Sequence, residues 1–322
     1  MSDSILLGGT ELMVKRLKDS LPSELLDNFQ IIPTRLTEEL DESKIRIAYI
    51  HDLANDPQLA YLDNGGWRKF HLLVFVSNWQ MQSFIGRYQI PWERCLVIQN
   101  AIVPIDVDLD KKPTDKVRLI YTPTPHRGLN ILLPVFEKLL EVYPDLELDV
   151  FSSFKLYGWE QRDDQFKSLF EKCENHPNIN YHGSQSNEVV REALKNAHIF
   201  AYPSKWQETS CLCLIEAMSA GLICVHSNLG ALYETAANFS YMYQFTEDEN
   251  RHAQIFYSAL RMGIENLKND VNIGLRIKHQ KVYADQVYNW NARKDQWNAL
   301  LNSMLTLPRE FEKPKFVYNT GY

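Results

Sequence analysis

Along most of its length the chain alternates short apolar runs with longer amphipathic stretches, and this alternation limits its fold more than any other feature. Runs rich in β-branched and aromatic residues lie at 29–33, 45–50, 72–77 and 94–98, and again at 117–121, 146–151, 178–182, 198–202 and 223–226. Most are apolar nearly throughout, the pattern expected of parallel strands buried on both faces. Helical periods fall between them. Val14, Leu17 and Leu21 follow Thr10 at helical spacing, and Leu132, Leu133, Phe136, Leu139 and Leu140 form a stripe within 129–143. Further helical patterns cover 188–196 and 211–220, and a long one covers 270–304. Such alternation predicts right-handed βαβ units in doubly wound parallel sheets.

At 322 residues the chain exceeds what one core usually spans, so two domains are expected. The clearest boundary is the polar stretch PIDVDLDKKPTDK at 104–116, which holds two prolines and shows neither period. Two Rossmann-like domains are therefore expected, residues 1–110 and 111–285, facing each other across a cleft. Residues 286–322, with Trp290 and Trp297, are expected to cross back and complete the first. That first domain is short. Only Ile5, Leu6 and Leu7 precede Gly8-Gly9, where a full strand normally leads into the glycine turn. Either the central strand is missing, or another segment such as KFVY at 315–318 fills its slot.

Composition removes several classes of function. The balance of 34 Lys+Arg against 41 Asp+Glu gives a net charge of −7, which argues against a nucleic-acid binder. With 45% hydrophobic residues the chain has enough apolar surface to build cores, which excludes disorder. No apolar run approaches the roughly 20 residues of a membrane span. The opening MSDSILLGG lacks the basic segment of a signal peptide, so a cytoplasmic location is the expectation. The five cysteines form no CxxC and read as reduced thiols. Without GxSxG, GxxxxGK[ST] or HExxH, the hydrolase, P-loop and zinc-protease readings lose support.

Chemistry concentrates in KWQETSCLCLIEAMSAG at 205–221. It follows the strand pattern HIFAYPS, so Glu208 falls on a loop at the carboxyl end of a strand, where open α/β sheets hold ligands. Thr209 or Ser210 is positioned to cap a helix running to Gly221. The amides of 209–211 would then make an anion site at the helix start. Glu216 falls about two turns into that helix, among Leu212, Leu214, Ile215 and Met218. Carboxylates suit vicinal hydroxyls because each oxygen accepts a charge-assisted hydrogen bond.

The pair Glu208…Glu216, with seven residues between, resembles the E-x7-E motif of retaining GT-B enzymes of glycosyltransferase family 4. The similarity extends through YPSKWQETSCLCLIEAMSAG, LICVHS and GALYE. Gly8-Gly9-Thr10-Glu11 resembles that family's GGxE loop. The stretch FVSNWQMQSFIGRYQIPWERCLVIQNAI resembles its SNW…VIPNG segment, with Asn100 at the asparagine position. Arg127-Gly128-Leu129 resembles the RGL that opens the donor domain, and WNARKDQW resembles the helix that crosses back.

This resemblance implies a GT-B fold of two facing domains and a hexosyltransferase activity with retention, drawing on a UDP- or GDP-sugar without metal or cofactor. The acceptor hydroxyl would belong to a glycan, a lipid-linked acceptor or a small molecule. By the same analogy Glu208 contacts the donor sugar, Glu216 the nucleotide ribose, and the amides of Thr209, Ser210 and Cys211 the sugar and phosphate. Arg127 would neutralise the leaving diphosphate. His51, after the strand IRIAYI, would lie beside the sugar with Asp52 fixing its tautomer. Gly8 and Gly9 would admit the phosphate or acceptor closely. Family members carry a second basic residue about five positions before Arg127, where this chain has Thr122. Lys205 and Lys155 are the candidates to replace it. Asp106-Val107-Asp108 imitates a DxD metal motif but falls among the acids and lysines of the linker. His126 reads equally as a phosphate contact or as solvent-facing. The competing reading is a catalytically inactive nucleotide-sugar binding or regulatory protein, with an epimerase or phosphorylase behind it.

Overall fold

The computed structural model describes residues 8–306 and divides the strands between two parallel sheets. The first contains β1 (Phe29–Pro33), β2 (Ile45–Ile50), β3 (Leu72–Phe75) and β4 (Cys95–Val97), side by side in that order. The second contains β5 (Arg118–Tyr121), β6 (Glu147–Val150), β7 (Ile179–Tyr181), β8 (Ile199–Tyr202), β9 (Ile223–Ser227) and β10 (Tyr241–Tyr243), in the order β10-β9-β8-β5-β6-β7. Sequence periodicity misses β10, a short edge strand whose one strand neighbour is Val225–Ser227 of β9.

The helices of the first half are α1 (Gly9–Ser20), α2 (Ser23–Leu26) and α3 (Asn78–Tyr88). Next come α4 (Leu129–Leu140), α5 (Lys167–Asn175), α6 (Asn187–Asn196), α7 (Leu212–Ser219) and α8 (Leu232–Ala236). The chain then forms α9 (Glu249–Asn269), α10 (Ile273–Val287) and α11 (Trp290–Leu305).

Strict sequential order in the first sheet has a consequence for how it is covered. With right-handed crossovers, every connection between its strands falls on one face. On that face Ala48, Ile50, Leu73 and Phe75 pack with Leu59, Leu62, Met81 and Phe84. The alternate residues Ile47, Tyr49 and Val74 face the other way. That second face is closed by Met13 and Leu17 of α1 and by Trp290, Trp297 and Leu301 of α11. The return of the C-terminal helix thus supplies a cover that the sheet's own connections cannot. Beside β2 lies β1 itself, paired from Phe29↔Ile45 to Pro33↔Tyr49. The segments 5–7 and 315–318 considered for a central strand lie outside the described residues.

The single helix expected over 270–304 is two helices. Ala284 and Tyr288 bury into the second core, whereas Trp290 and Trp297 bury into the first. One straight helix cannot aim both stripes, so the chain breaks at Tyr288-Asn289. There the returning chain runs beside the outgoing one: the Ile102 amide donates to the Tyr288 carbonyl, and the Trp290 amide to the Ile102 carbonyl, both at 2.8 Å. Just beyond, the linker is pinned to the second half. Arg191 Nη2 donates to the carbonyls of Val103 (2.8 Å) and Pro104 (3.3 Å), and the Ile105 amide donates to Ser219 Oγ (2.9 Å).

In the second sheet the direction of winding reverses between β5 and β8, which are hydrogen-bonded neighbours although β6 and β7 separate them in sequence. Such a switch point opens a crevice at the carboxyl ends of the two strands.

Candidate active site

Two loops leave that crevice. The turn after β5 carries Arg127, and the loop after β8 carries Glu208. Arg127 Nη1 donates to Glu208 Oε1 at 2.7 Å, and the Tyr202 hydroxyl donates to the same oxygen at 2.5 Å. Glu208 is only 5% exposed. Two glycines make this approach of loops possible. Gly128 has φ +136°, and a Cβ there would sit 2.2 Å from the Pro203 carbonyl oxygen. Gly230 has φ +68°, and its Cβ would sit 2.5 Å from both the amide nitrogen and the carbonyl oxygen of Glu208. The Glu208 carbonyl accepts from the Ala231 amide at 2.7 Å.

The cap expected at Thr209 or Ser210 is not the one formed. Helix α7 starts at Leu212 with Cys211 as its N-cap residue, so the amides left without an intrahelical partner begin at Cys211, and those of Thr209 and Ser210 precede the helix. Thr209 is instead drawn to the first half, its Oγ1 donating to the His51 carbonyl at 2.7 Å. Ser210 stays half-buried in the same loop. Burial pushes the Cys211 thiol well up, and its hydrogen bond to Cys213 holds the latter down.

Glu216 lies one turn into α7 and is 6% exposed. Its carboxylate accepts from Asn187 Nδ2 at 3.0 and 3.3 Å and from Arg191 Nη1 at 3.2 Å. Arg191 therefore joins this glutamate to the linker carbonyls described above. Sequence reasoning missed Asn187 and Arg191, since α6 announces itself only as an amphipathic helix and nothing marks which polar side chains turn inward.

His51 follows β2 and is 7% exposed. Its ring lies edge-on to Tyr49 with centroids 4.2 Å apart. Burial pushes its pKa down to about 3, so the imidazole is neutral. Asp52 does not fix this ring; its carboxylate lies 3.7 Å from Arg35 Nε. The Gly8-Gly9 turn abuts the second half: a Cβ on Gly8 would meet the Tyr157 ring at 2.5 Å, and one on Gly9 would meet Leu212 Cδ1 at 3.2 Å. Glu234 of α8 also reaches across, capping α3 by accepting from the amides of Asn78 and Trp79, each at 3.0 Å.

The lysines considered as a second phosphate ligand each have a carboxylate partner. Lys205 Nζ donates to Glu249 at 2.5 Å, and Lys155 lies 3.5 Å from Glu160 on the surface. Thr122 hydrogen-bonds Cys213. Asp108 of the DxD sequence pairs with Lys111 at 2.8 Å, exposed in the linker. Among the described residues no group of three or more His, Cys, Asp or Glu is arranged to hold a metal ion. No helix of the described residues is long and apolar enough to cross a membrane.

His126 is not solvent-facing. Its ring stacks on Phe154 at 5.1 Å and meets the edge of Trp206 at 4.9 Å, and burial pushes its pKa down to about 4. Four buried polar atoms around the crevice lack a hydrogen-bond partner: His51 Nε2, Thr124 Oγ1, His126 Nδ1 and Arg127 Nε. Three of them lie on the turn after β5 and the fourth follows β2 of the other sheet; buried polar atoms are rarely left so, and the three on one turn mark a site for a polar ligand.

Residues 111–261 match the family model described as glycosyl transferases group 1. The chain is similar to one component of human phosphatidylinositol N-acetylglucosaminyltransferase, 26% identical over 169 residues, covering 50% of this chain and 33% of that protein. The match thus spans about a third of that relative's length. Among solved structures, a glycosyltransferase from Rickettsia africae superposes with TM-score 0.68 at 14% identity, over 95% of this chain and 83% of that one. Pneumococcal O-GlcNAc transferase GtfA, in complex with UDP and GlcNAc, gives 0.67 at 10% identity over 93% and 61%. Anabaena HepE, in complex with UDP-glucose, gives 0.63 at 15% identity over 81% and 72%. At such identities these likenesses establish the fold, which is GT-B.

Proposed function

We propose that this protein is a retaining glycosyltransferase of family 4 that moves a hexosyl group from a nucleotide-diphosphate sugar to an acceptor hydroxyl. The observation that carries this reading is the Arg127–Glu208 pair at the switch point of the second sheet, with Arg127 Nε unpartnered and Thr209, the residue after Glu208, hydrogen-bonded to the carbonyl of the neutral His51 in the first half. A guanidinium at that position meets the charge that develops on a diphosphate oxygen as the anomeric bond breaks. The free amides of α7 would share that charge, and Glu208 would accept from hydroxyls of the transferred sugar. Glu216 would exchange a hydrogen bond from α6 for one from the ribose.

In the reaction, the bond from the anomeric carbon to the phosphate oxygen breaks, and a bond from that carbon to the acceptor oxygen forms on the same face. The departing phosphate oxygen takes the acceptor proton. His51 Nε2 would contact a sugar hydroxyl without titrating, because its ring stays neutral throughout the physiological range. The donor would be a UDP-sugar, as in the HepE complex, or a GDP-sugar, used without metal or other cofactor. The acceptor would be a glycan, a lipid-linked acceptor or a small-molecule hydroxyl bound on the first half, in the cytoplasm. The domain division proposed with it is residues 1–110 with 286–322, and residues 111–285.

A thermal-shift series with UDP, GDP, ADP and their sugars tests the reading, because a ligand that binds the folded state raises its stability. One nucleotide series should stabilise the protein, and its sugar should release nucleotide slowly in water. Arg127→Ala and Glu208→Ala should each cut that turnover by about 10²-fold, the usual loss for a transition-state contact. Stabilisation without any nucleotide release from any acceptor mixture would instead favour a binding or regulatory protein. The engagement of Lys205 by Glu249 and of Thr122 by Cys213 supports that alternative.

A further inference from the structure

We propose that Tyr157 is a further ligand of the donor's diphosphate, its hydroxyl donating to a phosphate oxygen beside Arg127; this rests on the donor-site reading above. Nothing in the sequence singles this residue out. It ends the turn Phe154–Tyr157 that follows β6, the neighbour of β5, so its turn lies against the turn that carries Arg127. The stacking of His126 on Phe154 at 5.1 Å joins the two turns directly.

The turn is held firmly. Ser152 Oγ donates to the Pro123 carbonyl at 2.8 Å, the Phe154 amide donates to Asp163 at 2.8 Å, and Ser153 Oγ donates to Asp163 at 2.6 Å. Gly158, at φ +69°, ends it, and Trp159 packs on the Tyr157 ring at 5.3 Å. The ring is thereby laid across Gly8, so closely that a Cβ on Gly8 would stand 2.5 Å from Cε1 and 2.8 Å from Cδ1. Tyr157 and Leu212 are thus two residues of the second half that meet the glycines at the start of α1.

The charge around it calls for another donor. Arg127 already spends one nitrogen on Glu208, Lys205 is held by Glu249, and His126 is kept neutral by burial. A diphosphate held at Arg127 therefore meets a guanidinium whose charge is already partly offset by Glu208. The Tyr157 phenol lies within electrostatic reach of Arg127, Glu208, Cys213 and Glu11, and burial pushes its pKa up, so it keeps the proton that a phosphate oxygen would accept.

The test is calorimetry on the full chain with UDP, GDP and ADP, continued with the tightest of the three and with its phosphate-free nucleoside. Tyr157→Phe keeps the ring on Gly8 and removes only the hydroxyl. It should weaken the diphosphate about tenfold to a hundredfold, the range for a hydrogen bond to a charged group, while leaving nucleoside affinity and melting temperature as in the wild type. Unchanged diphosphate affinity in Tyr157→Phe, with Arg127→Ala weakened, overturns this assignment alone. An equal loss for nucleoside and diphosphate also overturns it, since the ring would then only shape the pocket. If the wild type binds none of the three, the donor-site reading falls and this assignment with it.

Discussion

Arg127 and Glu208 stand 81 residues apart in sequence, yet Nη1 and Oε1 meet at 2.7 Å because β5 and β8 are neighbours in the second sheet. Glu208 is nearly inaccessible, so its removal leaves a largely buried guanidinium without its counter-charge. Glu208→Ala should therefore destabilise the fold by about 3 kcal/mol, the lower end for breaking a buried pair. The double replacement Arg127→Met with Glu208→Leu should recover most of that loss. Urea unfolding of the wild type and the two variants checks this, and a double variant no more stable than Glu208→Ala would contradict it.

Gly230 touches no substrate in the proposed reaction, but it sets the position of Glu208. An alanine there must hold φ +68° and press its Cβ on the Glu208 backbone. Gly230→Ala should lower the melting temperature and also cut transfer at least tenfold, the second through displacement of the carboxylate. Wild-type turnover in this variant would show that the site tolerates a shifted Glu208.

Three deeply buried histidines make stability sensitive to acid. Burial pushes His51 down to about 3, and His226 and His252 down to about 4. Their unfolded-state pKa lies near 6.5, above the folded value in each case. Stability from this source is fully present above about pH 6.5 and is lost as pH falls toward 4, because only the unfolded chain takes up the protons. With three such groups the slope approaches roughly 4 kcal/mol per pH unit within that window. Urea midpoints measured between pH 7 and pH 4 should fall steeply; a flat profile would mean that these imidazoles are hydrated or charged in the fold.

Trp297 closes the bare face of the first sheet, packed edge-on against Tyr49 at 5.0 Å and only 1% exposed. Trp297→Ala should cost about 3–5 kcal/mol, as expected for truncating a buried tryptophan. Hydrogen exchange should accelerate first in β1 to β4 and later in β5 to β10. Uniform acceleration through both sheets would show that the halves unfold as one unit.

Much of the fold could be read along the chain because parallel strands buried on both faces must be apolar at every position, and β2, β3, β5, β8 and β9 largely are. The short edge strand β10 could not, since its three residues become a strand only through β9. The E-x7-E spacing marked Glu208 and Glu216 because both sit on one loop and the helix that follows it. Asn187, Arg191, Glu234 and Tyr157 remained silent, for each reaches its contacts from a different segment and carries no local pattern.

The residues alone determined the alternation of strand and helix, the linker and the chemical character of the loop around Glu208, since these depend on interactions within a few positions of one another. Which strands became neighbours was decided by the packed structure, and with it the pairing of Arg127 with Glu208 and the capture of Thr209 by His51. The same packing split the final helix between two cores. Such contacts join groups distant in the chain, and their energy is realised only when the sheets have formed and excluded water.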